Sequence, residues 1–332
     1  MPYGVWVRNG GTWVNSSLYV RNGGQWKLSN IPFLYLNELV IHILSANNYT
    51  ATNQNIDLGA LFESTYPGSW SYNVPKRVII DPGAIVGATN TGSYALNISA
   101  SLGGSLTIDN YGSILGAGGL PNGGNGGNAI IASSPVTFNN QGIIYAGGGA
   151  GGAGGTGGGG VYTTTTTIGP LTQGLFGNNQ VGFNFNCNES CQRNYGPTYG
   201  GSWYCASSAP PSNTNCIIFS LSIVICLTCY GNITSTSYTS GGAGGAGGRG
   251  QGYDGNLTGG SPGGAGGINA GTGGTGGTGG NWGQSGDSGF SGSNGNYTVG
   301  TGGGPGGLAG FYIVNNGNVT WTNLGTVAGR VI

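Results

Sequence analysis

The tetrapeptide Gly286-Asp287-Ser288-Gly289 matches the phrase around the nucleophile of trypsin-like proteases. A serine nucleophile needs a histidine base held in place by an acid. The sequence has one histidine, His42, which sits in an apolar run with no motif of its own. In a segment rich in glycine and serine such a tetrapeptide arises by chance, so no catalytic residue is assigned. His42 is read as a strand residue with a satisfied ring nitrogen. Paired carboxylates would point to glycan cleavage. The eight acids (Glu38, Asp57, Glu63, Asp81, Asp109, Glu189, Asp254 and Asp287) are scattered singly. Asp81 and Asp109 read as turn formers at one position of a repeat. No GxxxxGK followed by Ser or Thr is present to cradle phosphate. The expectation is a protein that is not an enzyme and uses no cofactor.

Six cysteines, Cys187, Cys191, Cys205, Cys216, Cys226 and Cys229, fall within about forty residues, and the rest of the chain has none. Disulfides are the leading reading, with 15 possible pairings. Free thiols and zinc are the rivals; CxxC occurs once, and the sole histidine lies far away. Disulfides without a signal peptide suit a protein released by cell lysis into an oxidising medium. The opening residues MPYGVWVRNGG carry no apolar h-region, so no signal peptide is expected.

Any such chemistry would have to be positioned by an unusual chain. Of 332 residues 77 are glycine, and only 5 % are charged, with zero net charge. That low charge argues against a chain kept open by repulsion. No basic stripe exists, so no nucleic-acid partner is expected. The longest apolar run, 217-IIFSLSIVICLTCY-230, is too short and too interrupted for a membrane helix and reads as a β segment.

Residues 1–30 hold a tandem repeat, VRNGGTW at 7–13 and VRNGGQW at 20–26. Each copy reads as strand, Asn-Gly turn, strand. Modules this small need a partner surface, which makes Trp6, Trp13 and Trp26 candidate attachment residues. Residues 31–145 read as a β-rich base. In it Leu39 to Leu44 suits a buried strand, and Asp57 can cap a helical turn over 57–64. The segments 78-VIIDPGAIVG-87, 106-LTIDNYGSILGAGG-119, 136-VTFNNQGIIYAGGG-149 and 311-FYIVNNGNVTW-321 share a frame. It equates Ile80, Ile108, Phe138 and Ile313, and likewise Gly83, Gly112, Gly142 and Gly317. Such a period suggests stacked rungs. On this reading the fourth copy, in the C-terminal piece 311–332, returns to the base after an excursion over 146–310.

That excursion is dominated by glycine. In 241-GGAGGAGGRG-250 and 271-GTGGTGGTGG-280 the non-glycine residue recurs at every third place. A polyproline-II-type helix has three residues per turn. Thr272, Thr275 and Thr278 would line one edge, while glycine on the other two faces lets neighbouring backbones exchange hydrogen bonds. Six tracts are read this way: 116–127, 147–160, 241–252, 259–267, 270–283 and 300–310. Flexible linkers are the rival reading. The connections carry aromatics suited to recognition: Tyr162, Tyr195, Tyr199, Trp203, Tyr204, Tyr230, Tyr238, Tyr253, Trp282, Phe290 and Tyr297, with the largest connection at 161–240.

The tandem VRNGG-Trp module resembles N-terminal segments of tailed-bacteriophage tail proteins. The LTIDNYGSILGAGG and VTFNNQGIIYAGGG units resemble strand-plus-glycine repeats of phage tail fibre and minor tail proteins. The glycine tracts with their variable connections are similar to the distal adhesins on the long tail fibres of T-even-like phages. This resemblance covers residues 1–26, 78–160 and 241–332; the cysteine-bearing insert departs from it. It implies a mainly β protein with a small N-terminal β-module, a rung-like base, packed polyglycine-II helices and almost no α-helix. It also implies a tail or fibre-tip location, docking to a fibre shaft or tail protein, and variable loops that bind a host outer-membrane protein or polysaccharide. A structural minor tail protein without receptor contact is the alternative. An ice-binding protein with an ordered threonine row is a third.

Overall fold

The computed structural model describes residues 38–43, 53–178, 202–205 and 222–332, and strands within residues 5–28. Near the N-terminus β1 (Val5–Asn9) pairs antiparallel with β2 (Thr12–Ser16), and β3 (Tyr19–Asn22) with β4 (Gln25–Leu28). Each hairpin sets an arginine opposite a tryptophan, Arg8 with Trp13 and Arg21 with Trp26.

The base is a parallel β-solenoid with three faces. Its first rung has β5 (Leu39–Ile43) and β6 (Ile56–Asp57), followed by α1 (Leu58–Thr65). The second has β7 (Lys76–Ile80), β8 (Ile85–Gly87) and β9 (Leu96–Ile98). The third has β10 (Leu106–Asn110), β11 (Ser113–Leu115) and β12 (Ile130–Ala132). The fourth begins with β13 (Val136–Asn140) and β14 (Ile143–Tyr145). The chain then leaves through the glycine tracts and the strands β15 (Gly160–Asn178), β16 (Ser202–Cys205) and β17 (Ser222–Thr239). It returns to finish that rung with β18 (Phe311–Val314), and adds a fifth of β19 (Val319–Asn323), β20 (Thr326–Ala328) and β21 (Arg330–Val331). The three faces stack as β5-β7-β10-β13-β19, β8-β11-β14-β20 and β6-β9-β12-β18-β21.

Alternation in the strands decides what lies inside. Val78, Ile108 and Phe138 stack in register in the core, and Trp321 packs on the Phe138 ring at 5.1 Å. Val86, Ile114 and Ile144 do the same on the second face. At one corner the aliphatic column gives way to amides: Asn110 Nδ2 donates to Asn140 Oδ1 (2.7 Å), and Asn140 Nδ2 to the Leu324 carbonyl (2.6 Å). Each amide satisfies the turn of the next rung, so burial leaves no polar orphan there. Lys76 is buried too; its ammonium donates to the carbonyls of Tyr72, Val74 and Gly103, and burial holds its pKa below the ordinary lysine value. Asp57 caps α1 by accepting from the Ala60 amide at 2.9 Å, and the helix runs two turns, longer than its sequence suggests.

The register corrects the repeat frame. Ile108 is equivalent to Val78 rather than Ile80, and the first-face strand of the fifth rung is 319-VTWTN-323. Ile313 lies on the third face, opposite Ile130. The glycine column follows suit. The amides of Ser113, Ile143 and Thr326 bond to the carbonyls of Ala84, Gly112 and Gly142, whereas Gly83 occupies a positive-φ turn and Gly317 lies in a 3-10 turn where a Cβ would meet only open space. Asp109 pairs with Ile79, so Asp81 and Asp109 do not share a rung position; Asp81 Oδ1 instead accepts from His42 Nδ1 at 3.2 Å. The excursion also interrupts a rung rather than separating two rungs. Tract 116–127 leaves at the same corner, between the second- and third-face strands.

Within the excursion the tracts bond to one another at every third residue. The amides of Gly148, Gly151, Gly154 and Gly157 donate to the carbonyls of Gln251, Gly248, Gly245 and Gly242. Those of Gly149, Gly152, Gly155 and Gly158 donate to Gln284, Asp287, Phe290 and Ser293, and their carbonyls accept from Gly280, Gly277, Gly274 and Gly271. The carbonyls of Gly147, Ala150, Ala153 and Thr156 accept from Gly310, Gly307, Gly304 and Thr301. The amides of Gly147 and Ala150 donate to the carbonyls of Gly127 and Gly124, so, tract 116–127 at its start included, tract 147–158 bonds to five others. Its glycines have no positive φ. They are glycine because of approach: a Cβ at Gly151 would lie 1.9 Å from the Gly277 carbonyl oxygen, and one at Gly155 2.0 Å from that of Thr301. Thr272, Thr275 and Thr278 stand on an exposed edge.

Segment 284–295 is a further tract that the sequence reading assigned to connections. Its Gly286, Gly289 and Gly292 donate to Gly307, Gly304 and Thr301. The Gly-Asp-Ser-Gly phrase therefore consists of lattice residues, while the His42 ring bonds to Asp81 on the solenoid.

Candidate functional site

Tract 147–158 starts at the solenoid, where Gly147 bonds to Gly127, and carries the chain away from it. At that far end three connections converge: the root of the β15–β17 ribbon, the turn 268–270 and the turn 295–298. Asn269 takes a left-handed φ of 59°, which lets the chain reverse between adjacent tracts. Asn296 clamps the ribbon by accepting from the Val161 amide (2.7 Å) and donating to its carbonyl (2.9 Å), while Asn269 donates to the same carbonyl (3.1 Å). Thr239 Oγ1 donates to the Ile268 carbonyl at 2.6 Å, and Thr298 Oγ1 accepts from the Gly159 amide at 2.6 Å.

Among the exposed side chains here, beside amides and hydroxyls, are four large apolar or aromatic ones. Tyr238 and Tyr297 pack with ring centroids 4.8 Å apart, tilted by 57°. They are 64 % and 59 % exposed, beside Ile268 at 58 % and Val299 at 74 %. Segments 159–168, 232–241, 266–272 and 291–301 contain no Asp, Glu, Lys or Arg. Beyond this cluster the ribbon presents exposed Thr163 to Thr167, with Thr164 bonded to Ser235 (2.8 Å) and Thr165 to Thr234 (3.3 Å). These four segments also contain no histidine and no cysteine. Among the described residues no group of His, Cys, Asp or Glu could hold a metal, and no helix is long and apolar enough to cross a membrane.

The structure separates the aromatics singled out in the sequence. Tyr238 belongs to this apex, and Tyr162 stands half-buried at the ribbon root. Tyr253 and Trp282 lie at the opposite end: Tyr253 covers Gly87 and accepts from Gln54 at 3.0 Å, and Trp282 packs on Tyr145 at 6.0 Å. They belong to the joint between lattice and solenoid, which the Arg249–Asp254 ion pair and the bond from the Gly118 amide to Asp254 reinforce. Phe290 projects from the side of tract 284–295. Trp203 and Tyr204 are on β16, in register with Gly231 and Tyr230 of β17. Cys205, Cys226 and Cys229 are on the same sheet, whereas Tyr195, Tyr199, Cys187, Cys191 and Cys216 lie outside the described residues. Trp6, Trp13 and Trp26 are on the N-terminal hairpins. Tyr297 is among the residues singled out from the sequence, whereas Ile268 and Val299 are not. Their signal is position: they fall in the short breaks between tracts of period three.

Residues 40–209, just over half of the chain, match the family described as phage tail fibre adhesin Gp38. The chain belongs to that family. Membership makes this adhesin a component of the virion's tail fibre, and family and mainly β fold point to a structural protein rather than an enzyme. No curated protein matches it significantly. Among solved structures it is similar to the gp37–gp38 adhesin tip complex of the bacteriophage S16 long tail fibre, at 17 % identity and a TM-score of 0.37, over 89 % of this chain and 82 % of that one.

Proposed function

We propose that this tail fibre adhesin binds a host surface receptor through the apex formed by Tyr238, Ile268, Tyr297 and Val299. On this reading the glycine tracts are packed polyglycine-II helices that hold the apex away from the solenoid. The observation that carries the proposal is the uncharged cluster of exposed aromatic and aliphatic side chains at the far end of a backbone-bonded lattice. Tyrosine supplies large contact area with little rotamer entropy to lose. A rigid mount keeps that advantage, because loops already fixed by Asn269 and Asn296 lose little further freedom on binding. The N-terminal hairpins, each with its Arg–Trp pair, are proposed to dock the adhesin to the fibre shaft.

The test is adsorption. Phage carrying Tyr238→Ala with Tyr297→Ala should attach to host cells at least tenfold more slowly, with the adhesin still incorporated in virions. Unchanged adsorption would remove the apex from receptor contact. Exchange of residues 161–240 for those of a relative separates the ribbon from the apex turns. Purified adhesin that never adsorbs to cells, yet is required for assembly, would instead favour a purely structural fibre protein.

A further inference from the structure

The cysteines remain outside this account, and the sheet register separates their possible pairings. β16 lies antiparallel on β17 with Cys205 directly opposite Cys229. Opposed residues in antiparallel strands have Cα atoms about 4.5–5.5 Å apart. A disulfide needs roughly 4.4–6.8 Å, so this pair qualifies at either kind of ladder position. Cys226 and Cys229 lie three residues apart on the same strand. At about 3.3 Å per residue their Cα atoms are about 10 Å apart, beyond disulfide reach. While β17 is extended, the CxxC is therefore neither a redox pair nor half of a zinc site. Cys226 is in register with Gly174 of β15, and Cys229 with Leu171, so neither faces a cysteine across that side of β17.

We infer that Cys205 and Cys229 form a disulfide that fastens β16 to the ribbon. Each thiol loses its proton, the Sγ–Sγ bond forms, and the two electrons pass to a small-molecule disulfide such as oxidised glutathione, which leaves as two thiols. β16 is a four-residue edge strand carrying Trp203 and Tyr204. Four residues of edge pairing hold a strand weakly, and the crosslink fixes both aromatics on the ribbon's edge.

The full chain is incubated with oxidised glutathione, alkylated and digested with pepsin, because no Lys or Arg lies between residues 194 and 248. The expected product is a peptide joining Cys205 to Cys229 that separates on reduction. Thiols counted in denaturant should rise by one in Cys205→Ser and return to the original number in Cys205→Ser with Cys229→Ser. Cys205 bridged to another cysteine, or both thiols alkylated in the oxidised protein, would overturn the assignment. Should the variants fail to fold, the peptide map of the unsubstituted chain decides alone.

Discussion

Phe138 in the solenoid and Gly151 in the lattice are both buried, and for opposite reasons. Phe138 is held by the apolar side chains it touches, stacked between Ile108 and Trp321. Gly151 is held by backbone alone, donating to Gly248 while its missing side chain admits the Gly277 carbonyl. A net hydrogen bond contributes about 0.5–1.5 kcal/mol, and ordering a residue costs about 1–2 kcal/mol. A lone glycine tract therefore cannot order, and an enclosed one balances only because both its amides and its carbonyls find partners in several neighbours. The solenoid builds its interior one rung at a time. The lattice needs most of its tracts present before any of them is stable.

The contrast can be broken first at Gly151. Gly151→Val forces a branched side chain against a carbonyl, and we expect a loss of about 5 kcal/mol or more. Hydrogen exchange should then show fast amides across 241–280 with protection retained in β10 and β13; retained protection in both regions would show that the tracts do not depend on close approach. Phe138→Ala should cost about 3–5 kcal/mol, read by urea denaturation. Asp57→Ala removes the α1 cap and the bonds from Asn97 and Ser99, for an expected loss of about 2 kcal/mol by the same measurement. At the small end, Thr275→Val on the exposed edge of the lattice should change stability by less than about 0.5 kcal/mol. Calorimetry sharpens the comparison: exposing polar backbone lowers the heat capacity, so unfolding the lattice should show an increment per residue below the usual ~12–15 cal/mol/K. A full-sized increment there would mean that apolar burial holds the lattice too.

The same contrast explains what could be read in advance. The period of three in 271-GTGGTGGTGG-280 states directly which faces meet other backbones, because a single Cβ would block the contact. Tract 284–295 was harder, since Asp287, Phe290 and Ser293 on its free face hide the glycines at every third place. The rung frame failed at 311-FYIVNNG-317, whose residues resemble 106-LTIDNYG-112 although they lie on a different face. A parallel strand's face depends on which corners precede it, and residues 146–310 intervene at one of them. The aromatic inventory had the same weakness. Tyr253 and Tyr238 are alike in type, and chain direction through successive tracts sends one to the joint and the other to the apex.

By itself the sequence determined the kind of order this adhesin has: glycine at two positions of three commits a tract to backbone pairing, and alternating apolar residues commit a strand to a solenoid wall. Both are local steric and hydrophobic constraints. The tertiary structure alone decided which rung each strand completes, which tract is enclosed, and which turns meet at the apex. Those outcomes depend on contacts between residues more than a hundred positions apart, such as Val161 with Asn296, and no local pattern encodes them.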